Sequence, residues 1–509
     1  MTIDFKLLNK YKYKKNITQR KIKNTYLATI FTITINSLKK NGYYMKSIIL
    51  YFFKTYLLFV FVLALQKPVF MLFYHDLFAG AKAADFLDVV CHGLVLDLSI
   101  AGYLSIIPGL LLIGALWLSP SLIRIFRNTY FGIIAVLLAF IYTCDIVLYQ
   151  YWGFRLDSTP LFYFFSSPKN AMASAEIGMI IGNIGIMIVY AIVFYMIFRL
   201  VLMRRKPLPV NKTRIKTTIV LSFATGLLFI PIRGGFSVST MNIGKVYYSD
   251  NIKLNHAAIN PCFSLMESSL HNSNFEKQYR FMDSQKADEI FDLLTDKPVT
   301  DSIPALFTGE RPNIVFIILE SFLSKAMETL GGLPNVAVHL DELTGEGILF
   351  TNFHANSFRT DRGLISILSG YPAQPTTSIM KYPKKTQSLP SIPHSLKAAG
   401  YDLQYYYGGD ADFTNMRSFL ISAGITNIVS DKDFPLSDRL SKWGAHDHIV
   451  FTRFLSDIEN EKPQEPFLKI VQTLSSHEPF DVPFHRLSSP FFKFGSLYGQ
   501  LFGRFYQSL

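Results

Sequence analysis

"RPNIVFIILE", residues 311–320, sets the fold class of the second half of the chain. From Ile314 to Leu319 the run is apolar without alternation, and Pro312 bounds it on one side. An unalternating apolar run of strand length suits a strand covered on both faces. "GILFTNFHAN" (347–356) reads as a second strand, and "YDLQYYYGG" (401–409) and "PFLKIVQTLSSHEPF" (466–480) as later ones. Between them lie the helical segments "GLISILSGY" (363–371) and "SLPSIPHSLKAAG" (388–400). Helices alternating with apolar strands predict a mainly parallel sheet, whose polar sites gather at the carboxyl ends of the strands.

The first half is different. Of 509 residues, 50% are hydrophobic and 15% aromatic, and the excess sits before residue 233. Five runs are read as membrane spans: 48–66, 94–118, 129–149, 177–198 and 217–232. Lys and Arg crowd the loops after spans two and four (Arg124, Arg127 and "RRKPLPVNKTRIK", 204–216), whereas the alternate loops are mixed in charge. By the positive-inside rule the N-terminus lies inside, and an odd span count places everything after about residue 233 outside. The net charge of +13 is read as loop Lys and Arg rather than a nucleic-acid surface, because no basic stripe interleaved with aromatics follows. Three cysteines cannot make a disulfide framework. Asp97 and Asp145 fall inside spans with no evident basic partner, so interhelical hydrogen bonds or protonated acids are expected. Residues 1–46 form a basic extension, read either as a cytoplasmic tail or as residues upstream of a start at Met45. Residues 233–310 form a connector along the membrane face, with a polar helical stretch "SQKADEIFDLLTD", and 311–509 form the α/β domain.

Three residues follow strands or open a helix where chemistry is expected. Glu320 closes the first strand. Thr360, in "HANSFRTDRG" (354–363), stands where a helix begins, with free N–H groups and the positive dipole end beside it. On that stretch alone a helix cap is the simpler reading. His477 follows the last strand, where a lone histidine is more often structural.

Together, "PNIVFIILESF" (312–322), "ANSFRTDRGLISILSGYPAQP" (355–375), "YYYGGDADFTNMRSFL" (405–420), "WGAHDHIVF" (443–451) and "TLSSHEPF" (473–480) resemble the lipoteichoic acid synthase family, the membrane-bound branch of the alkaline phosphatase/sulfatase superfamily. The resemblance covers about residues 48–490. It implies five transmembrane helices and an extracytoplasmic α/β domain on a bacterial cytoplasmic membrane. The implied activity moves a phosphoglycerol-type headgroup from a phospholipid donor to a glycan or polymer acceptor. One divalent metal ion, Mn2+ or Mg2+, is implied, with Glu320 and Thr360 as ligands, Thr360 as the nucleophile of a phosphothreonine intermediate, and His477 binding substrate phosphate. No protein partner is implied.

The chain departs from that family in two ways. Tyr407 stands where the family has a His at the end of a strand. Thr414 and Met416 stand where it has the Trp and Arg that hold phosphate, with Arg417 next to them. Tyr407 and Arg417 are therefore the candidate substrate contacts here, and a phosphoethanolamine headgroup or a sulfatase-like hydrolysis stays open. The family also completes its metal site with a later Asp-His pair, and none follows His477, so the domain is expected to be incomplete and an inactive product is the remaining alternative. "HDH" (446–448) is read as structural, with Trp443 and Asp447 holding local structure.

Overall fold

The structure is a computed structural model that describes residues 42–160, 177–203, 214–270, 280–296, 311–375, 377–461, 466–477, 480 and 482. Most of the basic extension, the greater part of the 204–216 loop, Lys169 and residues 483–509 lie outside these.

Five helices long and apolar enough to cross a membrane form the first half. They are α1 (Gly42–Phe73), α2 (Ala83–Gly114), α3 (Pro120–Trp152), α4 (Ile177–Phe198) and α5 (Arg214–Gly226), the last continued by the short α6 (Phe229–Arg233). Phe59, Phe131 and Phe198 bind α1, α3 and α4 through ring contacts of 5.5–6.0 Å. Leu57, Phe61, Ile133 and Val189 face outward, as a hydrocarbon solvent permits.

Helix α1 runs past residue 66, the expected end of its span, and carries Lys67 buried and paired. Its Nζ donates to both carboxylate oxygens of Asp97 on α2 at 2.5 and 2.6 Å. Arg155, just beyond α3, donates to Asp145 through Nε and Nη2 at 2.7–3.0 Å. The expectation that the two acids lack basic partners is thereby corrected. The cost of burying each charge is offset by an opposite one, and sequence shows neither pairing because each depends on tertiary approach. Gly93 makes room for the first: a Cβ there would lie 1.9 Å from Lys67 Cε and 2.4 Å from the Ala258 carbonyl oxygen.

Both pairs grip the segment that follows the bundle. Helices α7 (Ile252–Ala258) and α8 (Pro261–Leu270) sit on the bundle's end. Asn260 between them donates to Asp97 at 2.8 Å and accepts from the Cys262 and Phe263 backbone N–H groups. Arg155 Nη1 donates to the His256 and Ala257 carbonyls. The connector thus packs into the hydrophobic cluster at the bundle's end, despite its weak sequence pattern. Helix α9 (Ser284–Thr295) matches the expected polar helix.

The second half contains a four-stranded, all-parallel sheet in the order β1-β4-β2-β3. Its strands are β1 (Ile314–Ile318), β2 (Asp402–Tyr407), β3 (Asn427–Val429) and β4 (Phe467–Gln472). Alternate residues face opposite ways. Tyr405, Leu468 and Ile470 meet α10 (Thr360–Ser369), α11 (Ile392–Ala398) and α12 (Met416–Ser422) on one face. Tyr406, Val429 and Val471 meet α13 (Asp447–Glu461) on the other. The expected strand over "GILFTNFHAN" does not form. Ile348, Phe350 and Phe353 are 65%, 67% and 81% exposed, and the segment joins no ladder among the described residues. Apolar composition alone cannot make a strand without an edge to pair with.

Two outcomes follow for the membrane half. Lys67→Met leaves Asp97 buried without its cation and should cost about 3–5 kcal/mol, which a second change, Asp97→Leu, should largely restore. Thermal unfolding in detergent measures both. His256 bridges the halves, its ring meeting Tyr149 Oη at 3.0 Å and Gln387 Oε1 at 2.8 Å. Burial pushes its pKa down from 6.5 to about 4, against the Gln387 hydrogen bond. The unfolded chain therefore binds the extra proton between those values, so stability should fall as pH drops from 6.5 to about 4. His256→Gln should flatten that part of the Tm–pH profile.

Candidate active site

Glu320 follows β1 at the carboxyl edge of the sheet. Its backbone is held by the end of β4: its N–H donates to Thr473 Oγ1 at 2.9 Å, and Ser476 Oγ donates to its carbonyl at 2.7 Å. Ser321, the next residue, is in the left-handed region at φ 52°. Such a conformation costs on the order of 1–3 kcal/mol in a non-glycine residue and persists only where its surroundings impose it.

Thr360 is the first residue of α10. Arg359 before it is extended, and Leu364, Ile365 and Leu368 bury one face of the helix against the sheet. That packing fixes where the helix begins. The Thr360 hydroxyl lies 2.9 Å from both carboxylate oxygens of Glu320, 40 residues earlier in the chain. The site thus joins a hydroxyl, a carboxylate and the N-terminal dipole of a ten-residue helix. Asp361 is buried beside it, bridged to Arg359 at 3.1 Å, and its carbonyl accepts from Ser378 Oγ at 2.8 Å.

The other sequence candidates lie around this pair in different states. His477 is half-buried against Trp443, with ring centroids 4.9 Å apart. Its loop is shaped by Asp447, whose carboxylate accepts from the Leu474 and Ser475 N–H groups at 2.8 Å each. Asp447 is therefore spent on the backbone. Tyr407 ends β2 with its ring in the core, and burial, reinforced by the charge of Glu320, pushes its hydroxyl pKa up. Arg417 donates to Asp412 Oδ1 at 2.5 Å, and Lys432 donates to Asp412 Oδ2 at 2.6 Å. Burial raises the Asp412 pKa, but the two cations outweigh it and hold it below the usual range.

Sequence reasoning missed Asp412 and Lys432, although two acids directly after a strand, "GGDADF", were a usable signal. It also missed what holds this loop. Thr414 and Asn415 are consecutive left-handed residues, at φ 53° and 66°. The segment leaving the last membrane helix grips them. Ser239 N donates to Asp410 at 3.1 Å, Asn242 Nδ2 to the Asp412 carbonyl at 2.8 Å, and Gly244 N to Asn415 Oδ1 at 2.8 Å.

A divalent cation fits this site in donor type, since a carboxylate and a hydroxyl are hard oxygen ligands. Their 2.9 Å spacing also suits it: adjacent ligands around an octahedral ion bound at about 2.1 Å lie about 3.0 Å apart. Among the described residues, no group of three or more His, Cys, Asp or Glu side chains converges as a cage.

Comparison with known proteins bears on the domain as a whole. Residues 312–495 match the Sulfatase family. Residues 312–495 thus form a sulfatase-like α/β domain, behind five long apolar helices among the described residues. The chain is 24% identical over 189 residues to proteins named phosphoglycerol transferase I from two strains of Xanthomonas campestris pv. campestris. That match takes in 35% of this chain and spans only 27% of the relatives' length. Two solved structures are similar at low TM-score. An alkaline phosphatase superfamily protein from Vibrio parahaemolyticus has 29% identity, TM-score 0.40, and coverage of 45% of this chain and 60% of its own. The lipoteichoic acid synthase LtaP from Listeria monocytogenes has 20% identity, TM-score 0.35, and coverage of 39% and 52%.

Gly244→Ala tests the grip on the loop. A Cβ there would lie 2.9–3.0 Å from Asn415, so the loop must shift. Amide exchange across residues 410–417 should accelerate while exchange in β4 stays unchanged.

Proposed function

We propose that this chain transfers a phosphoglycerol-type headgroup from a membrane phospholipid to an extracytoplasmic glycan or polymer, through a phosphothreonine at Thr360. The observation that carries this reading is the Thr360 hydroxyl, placed at a helix N-terminus and 2.9 Å from the Glu320 carboxylate within a sulfatase domain. The names of the Xanthomonas relatives support the choice of group.

The chemistry follows from the residues. Glu320 accepts the hydrogen bond of the Thr360 hydroxyl and so directs its lone pair outward. Thr360 Oγ1 bonds to phosphorus as the bond from phosphorus to the diacylglycerol oxygen breaks, and that oxygen leaves with the proton that Thr360 gives up. The acceptor hydroxyl then bonds to phosphorus, the Thr360 Oγ1–phosphorus bond breaks, and the acceptor's proton restores the threonine. The N–H groups opening α10 face the phosphate oxygens throughout. A divalent ion, Mn2+ or Mg2+, held by Glu320 and Thr360 would lower the hydroxyl pKa and offset phosphate charge. His477 is assigned to the substrate phosphate. Arg417, which donates to Asp412, and Tyr407, at the end of β2, are the further substrate-binding candidates.

The orientation, with the N-terminus inside and the catalytic domain outside, rests on the basic loops after spans two and four, and the bacterial cytoplasmic membrane rests on the family resemblance alone. Thr414 and Met416, standing where related enzymes hold phosphate, favour phosphoethanolamine as the second headgroup to test.

In proteoliposomes with labelled donor lipid, Thr360→Ala should reduce transfer to background without changing Tm, and Glu320→Gln should lower the rate by about 100-fold or more. Retained transfer in the Thr360 variant refutes the assignment. A chelator should abolish activity. Binding of Mn2+ followed by electron paramagnetic resonance should weaken in Glu320→Ala.

A further inference from the structure

A cavity of about 950 Å3 lies between the membrane bundle and the catalytic domain, away from Thr360. Its position follows from the topology. Its catalytic-domain wall comes from residues 387–397, which lead into β2, and from Ile421–Gly424, which lead into β3. These mark the amino edge of the parallel sheet, whereas Glu320 and Thr360 sit at the carboxyl edge. The opposite wall is where two spans end: Phe73 and Leu77 at the end of α1, and Tyr149 and Gly153 at the end of α3. A space bounded by span ends lies at headgroup level. Its volume is in the range of small-molecule sites, about 300–1,000 Å3.

The lining is amphipathic. Phe73, Leu77, Ile252 and Ile421 give it apolar surface, on which an acyl chain can lie, and Phe73 is half-exposed. The polar part carries two cations, Lys253 and Lys397, and two anions, Asp76 and Asp250. Lys397 is already engaged by Asp250 at 2.7 Å and by the Gly424 carbonyl at 2.9 Å. Lys253 has no ion pair among the described residues. His256 adds no charge near neutral pH, because burial holds its pKa at about 4. Ser422 lines this wall as a small side chain.

We propose that this cavity binds one zwitterionic phospholipid, carrying a phosphate and a primary ammonium, as a resident lipid separate from the donor that reaches Thr360. Lys253 meets the phosphate, and Asp76, beside His75 at 2.9 Å, meets the ammonium. A purely anionic headgroup would answer the lysines but leave Asp76 and Asp250 facing like charge. The lipid then joins two contacts that already tie the halves at this edge, Lys384 to Asp157 at 3.2 Å and His256 to Gln387 at 2.8 Å.

The test is native mass spectrometry of the full chain in detergent, titrated with phosphatidylethanolamine or with phosphatidylglycerol. The expected result is one retained phosphatidylethanolamine per chain and weaker retention of phosphatidylglycerol. Ser422→Trp, which fills the cavity, and Lys253→Glu, on an exposed position that folding does not depend on, should each weaken retention by about tenfold, the scale of one lost hydrogen bond to a charged group. Thr360→Ala should retain the lipid as the parent chain does. Absence of a retained lipid, equal retention of both lipids, or loss in Thr360→Ala with retention in Lys253→Glu overturns the proposal. Because no readout depends on transfer, failure of the proposed activity would leave the lipid result standing.

Discussion

The hydroxyl of Thr360 and the carboxylate of Glu320 meet at 2.9 Å only because two distant segments arrive at one edge of one sheet. β1 delivers Glu320, and α10, packed on the same sheet through Leu364, Ile365 and Leu368, delivers Thr360. Parallel strands impose this. Every strand points its carboxyl end the same way, so loops far apart in sequence collect at one rim. β4 is the central piece: it pairs with both β1 and β2, and Thr473 and Ser476 beyond it hold the backbone of Glu320. Asp447 in turn shapes the β4 exit by taking two of its N–H groups. Strain at Ser321, Thr414 and Asn415 clusters at the same rim. Polar side chains there hold backbone, while the Thr360 hydroxyl and the Glu320 carboxylate bond to each other.

The membrane half is tied to this rim and to the opposite one. Lys67–Asp97 and Arg155–Asp145 fix α7 and α8 onto the bundle's end, and Asn260 extends the first pair into the connector. Residues 239–244 then hold the loop that carries Arg417, while His256, Asp157 and Asp250 touch the amino edge. The catalytic sheet therefore lies with its strands along the bundle's end. The buried ion pairs fix that placement at a desolvation cost that hydrogen bonds to backbone carbonyls help to offset.

Much of this was legible in the residues. The five spans, the apolar strands at 314–318, 402–407 and 467–472, and the helix opening at Thr360 all follow from period and length. The gaps have physical causes. β3 is only three residues, Asn427–Val429, too short to show a pattern. "GILFTNF" is apolar yet exposed, because composition does not supply a pairing edge. Asp97 and Asp145 looked isolated because each pairing joins residues on different elements. The same holds for Asp412, whose acidity is set by Arg417 and by the more distant Lys432.

The central claim is that Thr360 carries the transferred group. The most direct measurement is peptide mass spectrometry of the chain, quenched in acid after mixing with donor phospholipid in the absence of acceptor. A glycerophosphate or phosphoethanolamine adduct on the peptide containing Thr360, chased away when a glycan acceptor is added, is the predicted result. Headgroup turnover with no adduct at Thr360, or an adduct on another residue that is chased at the same rate, would contradict the account.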